Sequence, residues 1–258
     1  MAINRRDFLK FTAGAGLMLS AGATPARAER QKGELPPEAV GILYDATLCI
    51  GCMSCMVNCK KANSEPGGAL YHTETAGRIP FELPPDNPIY DAPDGLSSQT
   101  LCVIKAYRGD GETLPAHSAA TGFSFLKYHC LHCIEPACVS VCPVAALQKQ
   151  PDTGIVTYNK NKCFGCRYCQ LACPFGIPMY EFEKASPSVV KCQLCNHRYA
   201  QGGYSACCEF CPTGASIFGK VTDLREEAKR RLALKPGDTY AYPVKRVDGD
   251  ERTEQVVA

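Results

Sequence analysis

The chain has 258 residues, 18 of them cysteine, no tryptophan, and a formal charge of +2. Residues 1–28 hold Arg5, Arg6, Lys10 and Arg27 against Asp7, a net of +3, so the remainder is near neutral with 24 basic and 25 acidic side chains. That balance excludes a strongly basic nucleic-acid binder, and cysteine at about 7% of the sequence predicts that something bound to sulfur supplies part of the folding free energy.

In chain order, a charged segment Asn4–Lys10, an apolar run Phe11–Ala23 and a small-x-small site Ala26-Arg27-Ala28 have the order of a signal peptide over residues 1–28. The apolar run is shorter than the roughly 20 residues a membrane span needs. Arg5 and Arg6, followed by Phe8-Leu9-Lys10, resemble the twin-arginine class of export signal. That resemblance implies the twin-arginine machinery as a partner, the periplasm as destination, and folding around any metal in the reducing cytoplasm, where 18 thiols escape disulfide formation. Residues 29–39 read as a linker, and Val40, Ile42 and Tyr44 alternate as a short strand.

The first cysteine group follows, then an insertion over 60–129 that contains a single cysteine, Cys102, ahead of Cys130. It is rich in Gly and Pro, including Phe81–Pro88, and reads as mostly loop, with Leu101–Ile104 its best strand. A compact region spans Phe123–Phe218, with Pro151–Gly154 as a turn leading into a strand Ile155–Tyr158. Residues 221–258 are expected to form a helix and an arm. Asp223 is placed to cap a helix Leu224–Leu234 with Glu226 three residues on, Glu226/Arg230 and Glu227/Arg231 as ion pairs, and Leu224, Ala228 and Leu232 as the packed face. Pro236-Gly237 ends it, and the polar last twenty residues read as an arm against a partner, or frayed.

The cysteines form an internal repeat. Group I is Cys49-x2-Cys52-x2-Cys55-x3-Cys59, and group III is Cys163-x2-Cys166-x2-Cys169-x3-Cys173-Pro174. Group II, Cys130-x2-Cys133-x4-Cys138-x3-Cys142-Pro143, widens one gap; group IV, Cys192-x2-Cys195-x11-Cys207-x3-Cys211-Pro212, widens the same gap further. Disulfides suit an even count but do not require such runs. Structural zinc suits the paired x2 knuckles of groups II and IV but not the third close cysteine of groups I and III. Four 4Fe-4S clusters account for all sixteen. In two-cluster ferredoxins three cysteines of a run hold one cube and the fourth holds its neighbour, the x3 step opening a short helix that proline then ends. Group I has Lys60 in the proline position, which weakens its turn. The fold class expected is α+β, tandem bacterial two-cluster ferredoxin-like modules with long loop insertions, the four-cluster domain covering residues 40–220.

Cys102 and Cys208 are left over, Cys207 being preferred to Cys208 because it preserves the x3 step; both read as small buried hydrophobes. His129 and His132 flank Cys130 and are expected to donate hydrogen bonds or shape the protein around a cluster. Lys191 and Arg167 either raise a cluster's potential or are simply solvated. No catalytic residue is assigned, because no nucleotide-binding or metalloprotease motif and no acid/base pair is present.

Cys130-Leu-His-Cys133, Cys142-Pro-Val-Ala-Ala146 and Lys191-Cys-Gln-Leu-Cys195, with the four groups, resemble the four-cluster iron-sulfur subunits of molybdopterin oxidoreductases and membrane-linked nickel-iron hydrogenases, over roughly Val40–Tyr242. Gly41–Cys52 and Arg231–Pro243 look most like the periplasmic electron-transfer subunit of the hydrogenase-2 type. That subgroup carries a C-terminal membrane helix which the sequence to Ala258 does not hold, so membrane association is expected through partner subunits. The resemblance implies that groups pair as I with IV and II with III. One cube then takes Cys49, Cys52, Cys55 and Cys211, and its neighbour Cys192, Cys195, Cys207 and Cys59. The others take Cys130, Cys133, Cys138 and Cys173, and Cys163, Cys166, Cys169 and Cys142. The implied function is a one-electron relay between a periplasmic hydrogenase catalytic subunit and an integral-membrane quinone-reactive subunit. The alternatives are the same relay on a molybdopterin catalytic subunit, or a free periplasmic multicluster ferredoxin.

Overall fold

The computed structural model describes residues 33–70, 95–108, 123–182, 187–235, 237–243 and 252–256. The expected signal peptide 1–28, most of the expected linker, Phe81–Pro88 and Pro236 lie outside the described residues. The chain divides into Met1–Glu34 and a compact unit, Leu35–Ala258, which holds every element below.

Two similar modules are built by strands that flank the cysteine groups. β1 (Val40–Tyr44), just before group I, pairs antiparallel with β8 (Ser216–Lys220), just after group IV, in the register Ile42 to Phe218. In the same way β5 (Val156–Tyr158), before group III, pairs with β4 (Leu147–Lys149), after group II. Helices repeat the relation. α1 (Ser54–Asn63) of group I packs on α5 (Ala206–Glu209) of group IV, and α2 (Ala137–Ser140) of group II packs on α3 (Tyr168–Ala172) of group III. The backbone thus joins I to IV and II to III, a mixed α+β fold of tandem ferredoxin-like modules.

Two further hairpins sit between these pieces: β2 (Cys102–Arg108) with β3 (Phe123–His129), and the short β6 (Met179–Tyr180) with β7 (Val189–Val190). The region expected to be mostly loop therefore carries the longest of the described strands. β3 was not legible as a strand because a lysine, Lys127, occupies one of its inward positions; it is only 7% exposed. α4 (Asn196–Tyr199) lies within the wide gap of group IV.

The C-terminal helix differs from expectation. α6 runs from Val221 to Leu232, continuing straight out of β8, with Lys220 at the cap position and no side-chain cap. Its first free N–H, that of Val221, donates to Ala39 O at 2.8 Å, so the neighbouring chain does what Asp223 was expected to do. Glu226 pairs with Lys229 rather than Arg230. The packed face is Leu224, Glu227, Ala228 and Arg231, while Leu232 is 86% exposed. The substitution of charge for carbon on that stripe has a cause: buried Glu227 accepts from Arg231 Nε at 3.0 Å, and Arg231 also reaches Asp45 Oδ2 at 3.0 Å, tying the helix to the segment leading into group I. The expected arm contains a backbone-paired hairpin, β9 (Thr239–Pro243) with β10 (Arg252–Val256).

Candidate metal centres

All four groups bend the same way. The residue before the second cysteine is left-handed in each: Gly51, His132, Gly165 and Leu194, with φ of 68°, 46°, 80° and 54°. At Gly51 a Cβ would stand 2.3 Å from the Phe125 ring, so both space and φ require glycine there. After the fourth cysteine, groups II, III and IV place proline and then a left-handed residue, Ala145, Gly176 or Gly214. The turn aims backbone donors at sulfur: Ala146 N lies 3.2 Å from Cys142 Sγ, and Ser216 N 3.4 Å from Cys211 Sγ. Group I lacks the turn, and α1 runs on to buried Asn63. Its Nδ2 stands 3.6 Å from Cys59 Sγ and 3.7 Å from Cys195 Sγ, so a side-chain amide supplies what the backbone supplies elsewhere. Sequence reasoning missed Asn63, although an amide four residues after a cysteine with no following proline was a usable signal.

All eighteen cysteines are unbridged. The fold seats fourth cysteines with threes from the other group of the module. Cys142 lines one small cavity with Cys163, Cys166 and Cys169. Cys173 and Cys130 both stand near Cys133 and Cys138. Cys59 is buried beside Cys207, Cys195 and Cys192, and Cys49 is beside Cys55 and Cys211, with exposed Cys52 on the same loop. These four sets adjoin in a row, through Cys169 and Cys138, Cys130 and Cys192, and Cys207 and Cys55.

Burial is the main electrostatic influence. It pushes the Cys169 thiol up to about 11, helped by Cys138, Cys163 and Cys166, and holds Cys59 and Cys192 well above the ordinary thiol range. Tyr44 and Tyr158, each five residues before the first cysteine of its group, are also raised chiefly by burial, with Cys49 and Cys163 beside them. Metal that binds here must therefore displace protons from sulfur. Cys55 and Cys207 go the other way, each lowered chiefly by a hydrogen bond from a spare cysteine, Cys102 and Cys208 respectively. The two spares are buried, as expected, but they are more than apolar filler.

Several groups fit an anionic iron-sulfur cluster. His132 Nδ1 accepts from Val156 N at 2.9 Å, so the proton of the neutral ring is on Nε2, which is buried and has no hydrogen-bond partner among the described residues. Burial and the charge of Lys191 keep that ring neutral, well below the usual histidine range. A buried orphan N–H between Cys130 and Cys133 is the donor that a cluster sulfur would satisfy. Lys191, 2% exposed, donates to the carbonyls of Val156 and Cys192, with its Nζ 4.0 Å from Cys130 Sγ, and so stands where two sets meet. Arg167, by contrast, lies over the rings of Tyr180 and Phe182 at 5.3 and 5.6 Å. Among the described residues no three His, Cys, Asp or Glu side chains converge on a single point.

Comparison with known proteins points to the same chemistry. A family model described as a 4Fe-4S dicluster domain matches residues 121–221. The hydrogenase-2 operon protein HybA of Shigella flexneri is 40% identical over 247 residues, covering 93% of this chain and 70% of that protein. The iron-sulfur subunit of the nitrate-inducible formate dehydrogenase of Shigella flexneri is 30% identical, covering 94% and 71%. The iron-sulfur subunit of a putative dimethyl sulfoxide reductase of Halobacterium salinarum is 33% identical, covering 71% and 66%.

Proposed function

The chain belongs to the HybA-like iron-sulfur electron-transfer subunits of hydrogenase and related oxidoreductase complexes, and from that premise we propose that it holds four 4Fe-4S clusters and relays single electrons between a periplasmic hydrogenase catalytic subunit and a quinone-reactive membrane subunit. When bound, each cluster supplies a one-electron carrier. The chain's own part is to fix position and surroundings. Cys49, Cys52, Cys55 and Cys211 hold one cube, and Cys192, Cys195, Cys207 and Cys59 the next. Cys130, Cys133, Cys138 and Cys173 hold the third, and Cys163, Cys166, Cys169 and Cys142 the last. His132, Asn63 and the amides of Ala146 and Ser216 donate to sulfur and stabilise its negative charge. The leader carries Arg5 and Arg6 for twin-arginine export. No described helix is long and apolar enough to cross a membrane; the quinone-reactive membrane subunit is proposed as the partner that holds the chain at the membrane.

The observation that carries this reading is that Cys142 lines one cavity with Cys163, Cys166 and Cys169, which is what an exchange of fourth cysteines requires. The likeness to formate dehydrogenase and dimethyl sulfoxide reductase iron-sulfur subunits supports a second reading, the same relay on a molybdopterin catalytic subunit. The test is anaerobic purification of the complex followed by metal analysis. About 16 iron and 16 acid-labile sulfide per chain are expected, four of each per cube. Iron reproducibly near half that number, or zinc in its place, overturns the four-cluster assignment. The catalytic subunit that copurifies decides between the two readings.

A further inference from the structure

We propose that Lys127 is a positioning residue that raises the reduction potentials of the two clusters in the group I and IV module, its ammonium acting on both ligand sets at once. The inference rests on the four-cluster reading above and concerns a residue that no cysteine motif contains. Lys127 lies on β3 opposite Ile104, is 7% exposed, and donates from Nζ to Ser216 Oγ at 2.9 Å. Ser216, 2% exposed, sends its own N–H to Cys211 Sγ at 3.4 Å, so two hydrogen bonds link the ammonium to one set. Cys207, which belongs to the other set, lies beside the same ammonium, whose charge lowers its thiol. Cys55, Cys102 and Cys208 complete the surrounding sulfur.

A buried ammonium is strongly unfavourable without a negative partner. Among the described residues no carboxylate pairs with Lys127, and the titratable groups around it are thiols together with the neutral Tyr44 and His129. Its counter-charge is therefore the ligated sulfur itself. Reducing a cluster by one electron adds a negative charge within the shell that Lys127 touches, so its positive charge favours the reduced form over the oxidised one. Lys191 has a different place, with two backbone carbonyls and Cys130 at the join between modules. The two buried lysines thus address different parts of the row.

The test is a redox titration followed by electron paramagnetic resonance on the intact, cluster-loaded complex. Comparison of wild type with Lys127→Met and Lys127→Arg should show iron content unchanged and at least a tenfold loss in the reduction equilibrium of one or both clusters of the I and IV module in Lys127→Met, about 59 mV for one electron. The clusters of the II and III module should not move, and Lys127→Arg should keep most of the wild-type potential. Full iron with all four potentials unmoved in Lys127→Met overturns the proposal. If Lys127→Met loses iron, Lys127→Gln decides. It removes the charge but keeps an N–H donor for Ser216 Oγ, so a selective fall in the potentials of the I and IV module supports the proposal and unmoved potentials overturn it. Wild-type iron near half the expected content overturns the underlying four-cluster reading, a result read before any variant is made.

Discussion

The two modules share a plan and differ in what holds them together. The I and IV module surrounds its sulfur with a large apolar core, in which Leu70, Val103, Ile104 and Phe218 are buried with Cys55, Cys59, Cys102, Cys207 and Cys208. It also has a ten-residue helix, α1, and is braced by α6 through the Glu227, Arg231 and Asp45 network. Among the described residues the II and III module has only Leu147, Val156, Cys169 and Val189 as its buried cluster, and its helices are four and five residues long. Around it Leu131, Phe164, Tyr168, Leu171 and Phe182 are exposed, and Cys133, Cys138, Cys142, Cys163, Cys166 and Cys173 are only partly buried. The same ligand geometry can thus be supported by packing or left largely to the metal. The second module is expected to owe more of its stability to bound iron.

Removing iron is the sharpest way to expose that difference and should have the largest effect. After chelation under reducing conditions, amide hydrogen exchange should rise to near-unfolded rates over 130–182, while β1, β8 and α1 keep measurable protection. Equal loss of protection in both modules would break the comparison. Second in size, Glu227→Ala removes a buried partner of Arg231 and should cost about 3 kcal/mol in denaturant unfolding of the loaded protein. Its protection loss should fall on β1, β8 and α6 and leave 130–182 unchanged. Asn63→Ala should cost about 1–2 kcal/mol by the same measurement, since it removes the amide bond to Cys59 O at 2.8 Å and the donors facing Cys59 and Cys195. It should also lower the potential of the cluster those two thiolates hold, while the clusters of the other module stay put. Smallest, Lys229→Ala breaks an exposed pair with Glu226 and should change stability by less than about 0.5 kcal/mol. A larger loss there would mean that α6 is braced by its surface and not by Glu227.

Legibility followed the same division. Spacing within each cysteine group is local, so the short helices and the proline turns could be read from x2 and x3 steps alone. The pairing of groups was not in the spacing and came from resemblance; the backbone account of it, β1 with β8 and β4 with β5, depends on partners about 180 and 10 residues apart along the chain. Lys127 was illegible because charge marks a surface position in a sequence, and its burial is explained only by sulfur brought in from groups I and IV. The start of α6 was misplaced for a similar reason: the group that satisfies Val221 N–H is Ala39 O, from the far end of the domain. Arg231 and Glu227 were recognised as a pair, but their turning inward depends on Asp45, which no helix-based pattern includes.

The left-handed loops have a consequence for how the protein is made. Among the described residues, the six non-glycine positions with positive φ are Met53, His132, Ala145, Arg167, Leu194 and Cys195, all in or within three residues of a ligand cysteine. Each such residue disfavours its own conformation by roughly 1–2 kcal/mol. Together they rival the whole stability of an ordinary domain, about 5–15 kcal/mol. A chain without iron has every reason to let these loops relax, and a loaded chain does not. The backbone therefore displays its cargo as shape. Any later step that accepts only folded protein inspects metal content without ever touching the metal.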